Sequence, residues 1–154
     1  MNARTGSEPV TVEKKSDREI VVTRTFNAPA RLVFAAWTKP ELFKQWWVPK
    51  SMGMVLYDCE MDVRVGGKYR LNYGEGMDFY GKYLEVDPPS RLSWTNDEGP
   101  NGCITTVTFE EKGGKTLLVL SELYPSKEAF DEGAGATDAM NETFGQLDEL
   151  LATL

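Results

Sequence analysis

Apolar positions along the chain follow two rhythms, period two through a long central stretch and period 3.6 on either side of it. The run Ile20-Val21-Val22-Thr23-Arg24-Thr25-Phe26 is β-branched and ends at Asn27-Ala28-Pro29, which predicts a strand and then a break. Leu32, Val33, Ala36 and Trp37 recur at helical spacing from Ala30 to Trp37, with Asn27 as candidate cap and Pro29 in the first turn. Pro40 opens a second short helix through Leu42, Phe43, Trp46 and Trp47, with Thr38 as its candidate cap, and Val48-Pro49 stops it. Neighbouring helical residues diverge by about 100°, so one of Trp46 and Trp47 should enter the core while the other covers an entrance or the surface.

Period two then takes over. Strands are predicted over 54–63, 68–73, 79–86, 91–95, 104–110 and 115–123, divided by Gly66-Gly67, Gly74-Glu75-Gly76, Asp87-Pro88-Pro89-Ser90, a polar loop over 96–102, and Gly113-Gly114. Ser126 is placed to cap a helical turn over Lys127 to Phe130. The final helix runs from about Ala136 to the end, with Met140, Phe144, Leu147, Leu151 and Leu154 on one stripe and Asp138, Glu142, Gln146, Asp148 and Glu149 on the other face. Hairpin-linked strands beside one amphipathic helix define an α+β fold, an antiparallel sheet of six to seven strands burying that helix stripe. Residues 1–16 are polar and aperiodic, expected as a mobile tail, and 17–154 as a single domain.

Composition narrows the chemistry. The 154 residues contain no histidine, which removes Ser-His-Asp and Cys-His catalysis and His-ligated metal sites. The net charge of −7 is uneven: residues 1–84 carry 13 basic and 10 acidic side chains, residues 85–154 carry 4 and 14. So acidic a second half repels phosphate backbones and argues against nucleic-acid or anionic-membrane binding. Cys59 and Cys103 stand 44 residues apart without a metal-binding pattern and read as small buried hydrophobes in a reducing compartment. No apolar run reaches the ~18 residues of a membrane span, and the first residues lack a signal-peptide core, so a cytoplasmic location is expected.

Candidate chemistry lies on the strands. Tyr69, Leu71 and Tyr73 share one strand face, as do Phe79, Gly81 and Tyr83 on the next, with Gly81 marking a bulge or a close neighbour. Asp58, Glu60 and Asp62 also share a face, but the alternation with Val55, Tyr57, Cys59, Met61 and Val63 turns the carboxylates outward, toward Arg64, Arg70 or Lys82. Glu85 keeps phase with Tyr83, so it is a candidate polar group in the interior or at its rim. Neither glycine-rich turn precedes a helix, so the phosphate-loop and dinucleotide patterns fail.

Several strings in this order resemble one family. They are Arg24-Thr25-Phe26-Asn27-Ala28-Pro29, Val33-Phe34-Ala35-Ala36-Trp37-Thr38, Trp46-Trp47-Val48-Pro49, Cys59-Glu60-Met61-Asp62-Val63-Arg64-Val65-Gly66-Gly67, Val86-Asp87-Pro88-Pro89-Ser90-Arg91-Leu92 and Thr106-Val107-Thr108-Phe109, with Gly114-Lys115-Thr116 and the closing helix. The chain from Asp17 onward resembles the SRPBCC (START-like, helix-grip) superfamily, and within it the domain named after the activator of the heat-shock-protein-90 ATPase. That resemblance implies a curved sheet gripping the last helix, a largely apolar chamber between them, and relatives that bind lipids, sterols or polyketides or act as cyclases and dehydratases. Co-chaperone relatives carry a further amino-terminal domain, for which 154 residues leave no room.

The leading expectation is non-covalent binding of a small hydrophobic or amphipathic ligand, with no cofactor and no metal, by a monomer or weak homodimer. The expected lining is Trp46, Tyr57, Tyr69, Tyr73, Phe79, Tyr83, Trp94, Met140 and Phe144. Two alternatives stay open. A cyclase- or dehydratase-like enzyme would use Glu85 and Tyr83, and a stress-response module would dock a chaperone partner on the acidic face of the last helix.

Overall fold

The β-branched density between Glu19 and Phe26 produces the central strand of one end of the sheet, and its neighbours follow from hairpin closure. In the computed structural model, described over residues 10–48, 50–53, 55–74, 76, 78–96, 103–133 and 140–154 (Met52, Asn96, Glu132, Gly133, Met140 and Asn141 by backbone alone), eight antiparallel strands form one sheet. They are β1 (Thr11–Lys14), β2 (Glu19–Phe26), β3 (Asp58–Met61), β4 (Lys68–Asn72), β5 (Asp78–Asp87), β6 (Arg91–Asn96), β7 (Ile104–Lys112) and β8 (Lys115–Leu123), in the order β1-β2-β8-β7-β6-β5-β4-β3. Helices α1 (Ala30–Thr38) and α2 (Pro40–Trp46) follow β2, a 3-10 turn spans Lys50–Met52, and α3 (Lys127–Gly133) and α4 (Met140–Leu151) close the chain.

Three expectations about these elements change. Residues 11–14, taken as part of a mobile tail, form edge strand β1, with Val12 opposite Val22, which raises the strand count to eight. Asn27 does not cap α1: Pro29 is the extended residue before it, and the first free amide, Ala30 N–H, donates to Glu111 Oε1 of β7 at 2.9 Å. A helix N-terminus needs an acceptor, and tertiary structure brings a carboxylate to this one. Thr38 does not cap α2 either, because its hydroxyl turns back to Phe34 O at 2.9 Å and Lys39 takes the cap position. Ser126 does cap α3, accepting the Ala129 amide at 3.1 Å.

The main core gathers Val22 and Phe26 of β2, Val33, Phe34, Ala36 and Trp37 of α1, Phe43 and Trp46 of α2, and Phe144, Leu147 and Leu151 of α4. Three of the five stripe residues predicted for the last helix therefore bury together. A second, smaller cluster, Ile20, Cys103, Tyr124 and Phe130, sits under α3. Both cysteines are buried and free, and burial pushes the Cys59 thiol up to about 11 and the Cys103 thiol up to about 12.

Candidate ligand-binding site

α1 and α2 deliver a block of rings to the inner side of the sheet. Trp37 is its hub. Its ring centroid lies 4.7 Å from Trp46, 5.9 Å from Trp47, 5.6 Å from Trp94 of β6 and 6.3 Å from Phe144 of α4. Trp46 and Trp47 divide their tasks as adjacent helical residues must: Trp46 is fully buried, while Trp47 is half-buried and stacks on Phe43 at 4.8 Å. Trp46 Nε1 donates to Ala36 O at 2.9 Å and Trp47 Nε1 to the Tyr73 hydroxyl at 3.1 Å. Trp37 Nε1 is buried without an acceptor among the described residues. A buried donor left so costs about 1–3 kcal/mol, which makes this atom the one unexplained polar group of the aromatic block.

The sheet supplies a second set of rings. Tyr83 of β5 stands opposite Trp94, and Tyr69 of β4 stands opposite Gly81. The Tyr69 and Tyr83 rings meet at 5.8 Å, and the Tyr69 hydroxyl donates to Thr95 O at 3.3 Å. Tyr73 and Phe79 meet edge to face at 5.4 Å. Exposure rises outward along this face: Trp46 and Tyr83 are buried, Tyr73 and Trp94 are half-buried, and Phe79 is 46% exposed. Burial raises the phenol pKa of Tyr73 and Tyr83, so both hydroxyls stay neutral donors over the physiological range.

Trp46, Trp94, Phe144 and Tyr73 are thus joined through Trp37 and Trp47 by ring contacts and a hydrogen bond, with Phe79 at the outer end, and the Tyr69–Tyr83 pair adjoins them through the register of Tyr83 with Trp94. Met140 begins α4, and its side chain lies outside the described residues. Tyr57 is displaced. The predicted strand over 54–63 begins only at Asp58, so Leu56 turns in and Tyr57, 64% exposed, turns out. There it lines an open depression of about 510 Å³ with Asn72, Gly74 and Gly76.

Glu85 is not in the interior. A bulge between Tyr83 and Glu85 inserts one residue, and beyond it Val86 takes the inward position while Glu85 pairs with Arg91 at 3.0 Å on the outside. Asp58, Glu60 and Asp62 face outward as the alternation implied: Arg70 bridges Asp58 at 2.9 Å, Glu60 at 3.2 Å and Asp78 at 3.2 Å, and Arg64 pairs with Asp62. No group of acidic and sulfur ligands able to hold a metal occurs among the described residues.

The polar face of α4 behaves differently from the solvated face its sequence suggests. Gln146 is buried: its Nε2 donates to Trp46 O and Val48 O, both at 2.9 Å, and its Oε1 accepts the Lys50 amide at 2.9 Å. Asp148 faces the buried guanidinium of Arg24 at 3.6 Å. Glu142 accepts from the Ser51 amide and hydroxyl, which hold its carboxyl below the usual range. Sequence reasoning missed Trp37 and Gln146. Trp37 had a signal, since it lies at helical spacing with Val33, but nothing local separated it from an ordinary core residue.

With this geometry established, the chain can be placed among known proteins. Residues 27–152 match the family described as Activator of Hsp90 ATPase homolog 1-like protein. The chain belongs to that family, an SRPBCC-type domain whose fold commonly binds hydrophobic ligands. A solved structure of a protein from Staphylococcus epidermidis is 32% identical, with a TM-score of 0.72 over 93% of this chain and 94% of that one. One from Rhodobacter sphaeroides is 25% identical, TM-score 0.81, over 94% and 99%. One from Nitrosomonas europaea is 23% identical, TM-score 0.81, over 92% and 98%. A search of curated proteins gave no match. No helix among the described residues is long and apolar enough to cross a membrane.

Proposed function

We propose that this protein binds a small hydrophobic or amphipathic molecule non-covalently between the sheet and α4. The observation that carries this reading is the aromatic run from the sealed Trp46 through Trp47 and Tyr73 to the half-exposed Phe79, with Trp94 joined to it through Trp37. A filled core has no need to extend its rings to the rim. A ligand site does, because an apolar guest must cross from water to interior along apolar surface, and a few phenol and indole tips then orient it. Trp46, Tyr69, Tyr73, Phe79, Tyr83, Trp94 and Phe144 are the proposed contact residues. Acid/base chemistry at Glu85 loses its basis in the outward turn of that side chain, and a salt-sensitive chaperone surface on α4 loses Asp148 to Arg24.

Native mass spectrometry of the protein as purified from cells tests the reading, followed by titration with 2-acetylnaphthalene and decanoate. A retained small molecule that denaturation releases, or saturable binding of a probe with a rise in Tm, supports it. Absence of both a retained molecule and probe binding at about 100 μM, equivalent to a Kd weaker than roughly −5.5 kcal/mol, overturns it.

A further inference from the structure

We infer that Trp37 Nε1–H is the polar anchor of this site, donating a hydrogen bond to a neutral oxygen acceptor, such as the carbonyl of a flat aryl ketone. The inference rests on the ligand-binding reading above and specifies the class of ligand. Trp37 is 1% exposed, yet its indole nitrogen has no acceptor among the described residues. The cluster does not neglect indoles in general, for Trp46 finds Ala36 O and Trp47 finds Tyr73 Oη. Of the three indoles held together at the α1–α2 corner, only the hub is left with a donor to offer.

The surroundings select the acceptor. Trp37 is ringed by Phe43, Trp46, Trp47, Trp94, Phe109 and Phe144, all neutral. A carboxylate or phosphate would have to shed its water among aromatic carbons, and the nearby buried cation, Arg24, is already engaged by Asp148. A carbonyl, ether or ester oxygen gives up far less on leaving water. A flat aromatic body buries large apolar area against aromatic rings at low entropic cost. A competing account is an N–H···π contact with Trp46, whose ring stands at 66° to Trp37.

Two probes of one shape separate these accounts: 2-acetylnaphthalene, and 2-isopropenylnaphthalene, in which CH2 replaces the carbonyl oxygen. The full chain is labelled with 15N-tryptophan, and its indole signals are assigned by single Trp→Phe variants. The ketone should bind roughly five to ten times more tightly than the hydrocarbon, and the Trp37 indole proton should move downfield with the ketone alone. Trp37→Phe should erase the preference, leaving ketone and hydrocarbon equal in affinity whatever the common loss. Equal binding of both probes to the wild-type chain, or a Trp37 signal that the ketone leaves in place, overturns the inference in favour of the N–H···π contact and leaves the binding reading intact. If neither probe binds and no molecule is retained from cells, both fall. The wild-type comparison stands whether or not the variant folds.

Discussion

Tyr69 lies across Gly81, its register partner on the neighbouring strand, with the phenol ring filling the space where a side chain on residue 81 would stand. A Cβ there would run into both the Tyr69 ring and the Thr95 carbonyl oxygen. The glycine therefore lets one aromatic ring of the candidate site lie flat against the sheet while its hydroxyl reaches Thr95. Gly81→Ala should destabilise the protein by about 1–3 kcal/mol through overpacking, read as a lower urea midpoint at unchanged slope. Stability equal to wild type would mean that Tyr69 leaves the glycine freely.

Gln146 clamps the end of α2 and the turn after it onto α4. Gln146→Leu keeps much of the volume but strands two carbonyl oxygens and one amide, so a loss of about 2 kcal/mol is expected. Gln146→Glu should lose at least as much at neutral pH, since it turns a second oxygen toward Trp46 O and Val48 O. Chemical denaturation of both variants checks the order.

The acidic residues of α4 divide into a structural one and a surface one. Asp148→Ala leaves the buried Arg24 without its partner carboxylate and should cost about 3 kcal/mol. Charge reversal at the exposed Glu149 should stay within about 0.5 kcal/mol. Paired melting curves of the two variants decide whether Asp148 is a fold residue, and equal small effects would return it to the surface.

Burial raises the carboxyl pKa of Glu122, against the smaller opposing effect of the hydrogen bond donated by the Tyr124 hydroxyl at 3.1 Å. A pKa raised in the folded state favours the protonated form there. Its stabilising contribution is complete below the ordinary carboxylate range and is lost as pH rises through the folded value. Relative to Glu122→Gln, the wild-type chain should therefore lose Tm as pH climbs from about 4.5 toward neutrality. A constant difference between the two melting curves across that interval would show that Glu122 ionises as it does in the unfolded chain.

Much of the architecture was legible because it is written in short-range periodicity. The two helices after β2, the strands from β4 to β8 and the apolar stripe of α4 each follow from spacing and turn residues. Which face a candidate lining residue takes was legible only where register stayed simple. Tyr69 and Tyr83 kept phase, but the late start of β3 turned Tyr57 outward and the bulge after Tyr83 turned Glu85 outward. Each such shift exchanges the two faces of a strand, and neither carries a local mark, since Leu84 is as acceptable in a regular strand as in a bulge.

The sequence by itself determined the fold class, the absence of imidazole chemistry and the supply of aromatic rings, because these depend on composition and on neighbours a few residues apart. Tertiary structure alone decided that Trp37 is the hub whose donor meets no acceptor among the described residues, that Gln146 and Asp148 work inward from a polar helix face, and that β1 belongs to the sheet. Those outcomes depend on which distant groups reach a given polar atom, and hydrogen-bond satisfaction in a buried place is settled by residues up to about a hundred positions away.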